Sequence, residues 1–261
     1  MQMNMENRNP QRQQQQARVT WVTAPVVPGC PPGLEYLTQI NQLLVKQLFD
    51  LIEVFTEYDT NNKYLVNNIL GQSVFYAKEE NGCCMRYWCG SNRSFVIYVY
   101  DNSNQVVMEI RRPLKCHYMG PCCNCSKCSR DELEVQAPPG EVIGYVKQLY
   151  EGCQVRYAIL DKDKNIILRL HGPHYCFCYC PGDDYPVGVM TANGDLEIGK
   201  ITKQWSGWAQ ELYTTADNFG VQFPMDLDVK YKAIVLAAVF LIDFMYFENK
   251  NKDSNGAFSW Q

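Results

Sequence analysis

Four cysteines crowd the stretch Cys122-Cys123-Asn124-Cys125-Ser126-Lys127-Cys128. It contains two overlapping C-x-x-C spacings. A structural zinc site needs two such thiolate pairs. The second pair would have to come from Cys176, Cys178 and Cys180 with His174. The cluster follows Pro121 in a polar, loop-like segment, so its thiols are accessible. Accessible cytosolic thiols near a membrane are also substrates for S-palmitoylation. Cys176, Cys178 and Cys180 alternate with Phe177 and Tyr179 at strand period, which fits plain packing of one buried face. Acylation, metal binding and packing all stay open on these residues.

A second cluster runs from Thr215 to Asp226. Laid over a twelve-residue EF-hand loop, Thr215 takes position 1, Asp217 position 3, Gly220 the turn position and Asp226 the last position. Phe219 offers only its backbone carbonyl. An Asp/Asn-Gly turn leading into a capped helix explains the same residues. A third group, Gly199-Lys200-Ile201-Thr202-Lys203-Gln204-Trp205-Ser206-Gly207-Trp208, sets two Lys beside two Trp. That suits a membrane interface or a partner surface, and equally a strand end with solvated lysines. No constellation for covalent catalysis emerges. His117, His171 and His174 are the only histidines, and no G-x-S-x-G, P-loop or H-E-x-x-H pattern is present.

The elements that must position these groups read mostly as strands. Phe95–Tyr100, a polar turn at Asp101, Val106–Ile110 and Pro113 form one hairpin unit. Val155–Leu160, a turn at Asp161, Ile166–Leu170 and Pro173 form another, sixty residues on. Ile143-Gly144 is echoed by Ile198-Gly199. Further strands are expected at Lys63–Asn67, Ser73–Ala77, Glu132–Gln136 and Val187–Thr191. Leu34 to Tyr58 shows no clean period and is left unassigned. Around a dozen strands without intervening helices imply a closed barrel or sandwich, and closure also removes edge strands.

Ala233 to Phe247 is apolar on every side, with Asp243 its one interruption. Such a helix is buried or sits in a membrane. Its fifteen residues span about 22 Å at about 1.5 Å each, short of a hydrocarbon core of about 30 Å. Ala233, Leu241, Asp243 and Phe247 therefore mark a helix that spans a membrane or fills the barrel, and its length favours filling.

Composition bounds the rest. The chain has 261 residues, 46% hydrophobic and 20% charged, enough for one large domain with a substantial core. A net charge of −4 disfavours a strongly nucleic-acid-binding protein. The Gln-rich start offers nothing to bury and no secretory leader, so the thirteen cysteines are expected in a reducing compartment, not in a disulfide framework. Residues 1–29 read as a tail, 30–248 as the folded domain with its helix at 229–247, and 249–261 as a polar tail. Pro25-x-x-Pro28 is a weak ligand motif for an SH3-type partner.

Cys30-Pro-Pro-Gly-Leu-Glu-Tyr36, Gln136-Ala-Pro-Pro-Gly140, Gly199–Gly207, Ala216-Asp-Asn-Phe-Gly220, Asp226-Leu-Asp228 and Phe240–Glu248 together resemble the phospholipid scramblase family, in order and spacing. The resemblance implies a mainly β fold of the Tubby C-terminal type, a closed twelve-stranded antiparallel barrel around a hydrophobic C-terminal helix. It implies Ca2+-stimulated, ATP-independent movement of phospholipids between leaflets, at the cytosolic face of the plasma membrane. It implies palmitoylation at Cys122, Cys123, Cys125 and Cys128. It implies a calcium segment carrying Thr215, Asp217, Phe219, Val221, Phe223 and Asp226, and a nuclear-import-like stretch marked by Gly199, Lys200, Lys203, Trp205 and Gly207. Thr215 stands where the family has an acidic residue, so Ca2+ binding is expected to be weak, in the sub-millimolar to millimolar class. A zwitterionic headgroup needs a polar path through hydrocarbon, so direct scrambling would call for a homo-oligomer or a thinned bilayer. The competing expectation is an acyl-anchored membrane or nuclear module that binds lipids, proteins or DNA without scrambling.

Overall fold

The computed structural model describes residues 20–22, 25–48, 61–80, 93–114, 130–151, 154–174, 185–204 and 218–247. Twelve strands alternate up and down. They are β1 (Gln42–Leu48), β2 (Lys63–Asn67), β3 (Ser73–Glu80), β4 (Phe95–Tyr100), β5 (Val106–Arg112) and β6 (Glu132–Gln136), then β7 (Val142–Gln148), β8 (Gln154–Asp161), β9 (Ile166–His174), β10 (Tyr185–Thr191), β11 (Glu197–Gln204) and β12 (Asn218–Gln222). Each pairs antiparallel with its sequence neighbours, and β1 pairs with β12, so the sheet closes into a barrel. The one α-helix among the described residues, α1 (Val229–Tyr246), runs through it.

Alternation explains the wall. In β4 the pattern Phe95, Ile97, Val99 is buried and Val96, Tyr98, Tyr100 is not. Inward residues Tyr64, Phe95, Arg112 and Tyr157 touch α1, whose residues from Lys232 to Tyr246 are all buried. That is why the helix needs no polar face: the barrel surrounds it on all sides. Asp228 caps its start, accepting a hydrogen bond from the Lys230 amide at 2.8 Å.

The repeated hairpins fold alike. Asp101 accepts from the amides of Ser103 and Gln105, and Asp161 from those of Asp163 and Asn165. Asn104 and Lys164, again sixty apart, both take positive φ. Pro113 ends β5, but Pro173 lies inside β9, beside a register shift in its pairing with β8. The glycine echo is a packing rule: a Cβ on Gly144 would lie 2.2 Å from the Leu160 carbonyl, and one on Gly199 2.3 Å from that of Gln222.

Two expectations are adjusted. The unassigned stretch contains a 3-10 turn at Glu35–Gln39 and then β1. Part of the expected tail is tied down. Val22 donates to the Ser73 carbonyl, and Pro28-Gly29 form a tight turn closed from the Cys30 amide to the Val27 carbonyl. Pro28 is therefore a turn residue and not the end of an extended ligand.

Candidate functional site

Up-and-down topology sorts the connections onto two rims. One rim carries the short turns: 68–72, 101–105, 137–141, 162–165, 192–196 and the 223–228 link into α1. The other, the wide rim, carries the connections β1–β2, β3–β4, β5–β6, β7–β8, β9–β10 and β11–β12. Helix α1 starts at the short-turn rim, so its C-terminal end lies at the wide rim.

Twelve of the thirteen cysteines fall in these wide-rim connections; Cys30 is the exception. Cys83, Cys84 and Cys89 join β3 to β4. Cys116, Cys122, Cys123, Cys125 and Cys128 join β5 to β6. Cys153 joins β7 to β8, and Cys176, Cys178 and Cys180 join β9 to β10. Trp88, Trp205 and Trp208 belong to the same set of connections. All of these residues, with Gly207, Thr215 and Asp217, lie outside the described residues; what the structure fixes is the rim from which their segments leave. Leu48, Leu114 and Tyr150 stand exposed at that rim.

Beneath the wide rim the barrel interior is charged. Arg93 pairs with Glu79 at 3.0 Å and Arg112 with Asp131 at 2.6 Å, all four side chains at most 2% exposed. Arg93 stacks 4.0 Å from the Phe244 ring centre, Arg112 reaches the Met245 Sδ at 3.2 Å, and Lys203 lies 3.7 Å from the Phe247 ring centre. Three cations thus surround the helix C-terminus, whose partial negative charge they complement. Asp243 accepts from the Tyr64 hydroxyl, and Tyr157 and Tyr246 share a hydrogen bond of 3.1 Å. At the opposite end Lys232 donates to the carbonyls of Leu37, Ile40 and Met225. Burial lowers its pKa, and the nearby Asp226 partly offsets that.

This geometry bears on three expectations, and the first, a helix that fills the barrel, is met. Ala233, Leu241, Asp243 and Phe247 are interior residues of the barrel and face no lipid in this structure. No helix among the described residues is long and apolar enough to cross a membrane. The described part of the import-like stretch, Gly199–Gln204, lies in β11 with 200–203 paired on both sides, and Lys203 is buried while Lys200 is exposed.

The third expectation concerns the calcium loop. Gly220 is mid-strand, paired with Leu44 and Thr202, and does not form a turn. Phe219, Val221 and Phe223 are buried core side chains. Strand β12 runs through the segment: it begins at the wide rim with Asn218, the residue after Asp217 in sequence, and Asp226 follows it at the short-turn rim. No group of three or more His, Cys, Asp or Glu among the described residues is placed to hold a metal ion.

Comparison with known proteins now decides the family. A family profile described as Scramblase matches residues 22–249. The chain belongs to the phospholipid scramblase family. Among its scramblase relatives, "Phospholipid scramblase 1" of Mus musculus is 45% identical over 242 residues, 92% of this chain and 72% of that protein. "Phospholipid scramblase 1" of Homo sapiens is 44% identical over 246 residues, covering 94% and 75%. "Phospholipid scramblase 2" of Bos taurus is 45% identical over 232 residues, covering 88% and 77%. No solved structure matches this scramblase chain.

The buried ion pairs were absent from the sequence reading, and Lys203 was read there as an import-like or solvated lysine, not as a buried cation. Alternation offered a signal for Lys203, which shares the inward face with Ile201 two residues earlier. The partners of Arg93 and Arg112 carry no local signal, because strand order brings them together.

Proposed function

We propose that this chain is a phospholipid scramblase. It moves lipids between leaflets in both directions, stimulated by Ca2+ and without ATP, from the cytosolic face of the plasma membrane. One observation carries the reading on a chain 44–45% identical to proteins named phospholipid scramblase. The connections that hold twelve cysteines and three tryptophans in sequence all leave from one rim of the barrel. Acyl chains on that rim, with aromatic residues at headgroup depth, would seat the barrel end-on against the bilayer. The helix stays inside the wall, so the lipid path comes from an assembly of copies or from local thinning of the bilayer. Calcium acts at the wide-rim end, where Asp217 and lipid phosphates together supply the hard oxygens it requires.

The test is purified, acylated protein in liposomes with a reporter lipid, with and without Ca2+, in the absence of ATP. Ca2+-dependent loss of reporter asymmetry is expected. Its absence across a range of protein densities would instead support an anchored binding module. That second reading is favoured by a specific observation, the burial of α1 by the barrel.

A further inference from the structure

On the outer wall, strands β5 and β6 pair only from Glu109↔Gln136 to Arg111↔Glu134, a shorter ladder than either flanking seam. Beyond that point, towards the wide rim, the two strands part. A groove of about 650 Å³ opens there, floored by this seam and walled by Tyr98 of β4 and Tyr145 of β7. Glu109 points outward from the barrel yet is only 5% exposed, so it forms the floor of the groove. Arg111 donates its Nε to Glu109, and 53% of its side chain stays exposed. Glu134 faces Arg111 across the seam and accepts from Gln136.

Charge selects the occupant. Glu132, at the edge, is flanked by Lys147 and Lys164. On the floor, two carboxylates, Glu109 and Glu134, face the single guanidinium of Arg111, and Glu80 adds a further carboxylate to the lining. Arg112 faces inward and is matched by Asp131. The groove therefore holds spare negative charge beside one exposed anion receptor. No metal-holding group of acidic residues forms there among the described residues. A cation that donates hydrogen bonds satisfies it, with an anion attached close by.

We infer that this groove binds a primary ammonium joined to a phosphodiester, the headgroup of an ethanolamine phospholipid. Glu134 and Glu109 accept from the ammonium, and Arg111 takes the phosphate. A choline headgroup has no N–H to give the carboxylates. A serine headgroup brings a further carboxylate into an acidic groove. The inference rests on the scramblase reading and names a substrate class for it, since the groove opens at the rim proposed to meet the bilayer.

Isothermal titration of the full chain with soluble glycerophosphoethanolamine, glycerophosphocholine and glycerophosphoserine tests the site apart from transport. The ethanolamine compound should bind tightest, by at least about fivefold over the other two. Glu134→Gln should remove that preference, and Arg111→Gln should weaken all three. Glu197→Gln, the same change on a distant exposed strand, should do neither. Vesicles of phosphatidylcholine with and without phosphatidylethanolamine separate a lipid from a free headgroup: binding should rise with the ethanolamine lipid. Equal affinity for the three compounds, insensitivity to Glu134→Gln, or no preference between the vesicles would overturn the assignment. Scrambling without headgroup binding would defeat the groove alone. Headgroup binding without scrambling would defeat the scramblase reading and leave the groove as a binding site.

Discussion

The Tyr64 hydroxyl donates a 2.7 Å hydrogen bond to the Asp243 carboxylate, joining β2 to the single acidic residue of an otherwise apolar helix segment. Both side chains are buried, and the Tyr64 ring also packs 4.8 Å from Phe240. A carboxylate inside a barrel persists only when hydrogen-bonded, so this contact fixes the depth and rotation of α1 as well as adding stability. Tyr64→Phe should cost about 1–3 kcal/mol. In a urea-denaturation cycle with Asp243→Asn, the double variant should lose less than the sum of the singles. Additive losses would mean that the two groups act independently.

The pair Arg112–Asp131 should be far more sensitive than a surface pair. Arg112→Met leaves the Asp131 charge without its guanidinium, and uncompensated buried charges cost about 3–5 kcal/mol. The half-exposed pair Arg156–Glu151 is the internal comparison: removing Glu151, itself 46% exposed, should cost less than about 1 kcal/mol. Chemical denaturation midpoints would show the contrast. Similar losses at both positions would mean that water reaches Arg112.

Much of this fold was legible because its signals are local. The turn at Asp101 and its copy at Asp161 are closed by one carboxylate bonding amides two and four residues on, so the repeat in sequence is a repeat in hydrogen bonds. Strand β1 was not legible. Its inward face is Leu43, Val45 and Gln47, and the buried Gln47 breaks the apolar alternation. The calcium loop misled for a related reason. Asn218-Phe219-Gly220 has turn composition, but pairing to β1 and β11 on both sides outweighs that propensity. The groove at Glu109 and Glu134 depends on register between strands, which no local pattern carries.

Alkaline pH should unfold the barrel partly through Tyr157. Burial, first, and the Tyr246 hydroxyl, second, push its pKa well above the ordinary 10.0. The unfolded chain therefore releases this proton at a lower pH than the folded one. Stability from the group is complete below pH 10.0 and drains away as pH rises past it. Tyr157→Phe loses the bond to Tyr246 at every pH, so the slopes, not the absolute values, are the readout. Between about pH 9 and 11 the variant's stability should fall less steeply. Parallel slopes would assign the alkaline limit to groups other than Tyr157; Lys232, whose pKa burial lowers, acts in the opposite sense.

Replacing Cys122, Cys123, Cys125 and Cys128 with Ser should leave a membrane-bound fraction. The β9–β10 connection, with Cys176, Cys178 and Cys180, leaves from the same rim. One acyl chain binds marginally and two bind stably, so the remaining thiols can sustain attachment. Adding Ser at those three positions and at Cys83, Cys84, Cys89, Cys116 and Cys153, which removes every thiol of these connections, should release the protein. Fractionation with acyl-exchange labelling reads both steps. Complete release by the first four substitutions would show that the shared rim plays no part.

Calcium stimulation should depend on Asp217 and not on Asp226. Five residues of β12 at about 3.3 Å each put about 13 Å between Asn218 and Gln222, before the turn to Asp226 begins. Oxygen ligands sit about 2.3–2.6 Å from Ca2+, so all ligands of one ion lie within about 5 Å of each other. One ion cannot take both carboxylates while the barrel is closed. The wide-rim end has Asp217 and the hydroxyl of Thr215 in sequence beside it, and a bilayer would add phosphate oxygens there. Asp226, next to the buried Lys232 ammonium, has a cation for a neighbour already. Asp217→Asn should abolish the Ca2+ response in liposomes, Thr215→Asp should shift it to lower Ca2+, and Asp226→Ala should leave it unchanged. Loss of the response with Asp226→Ala, in a protein that still melts as wild type, would place the ion at the short-turn rim and reverse the orientation of the barrel on the membrane.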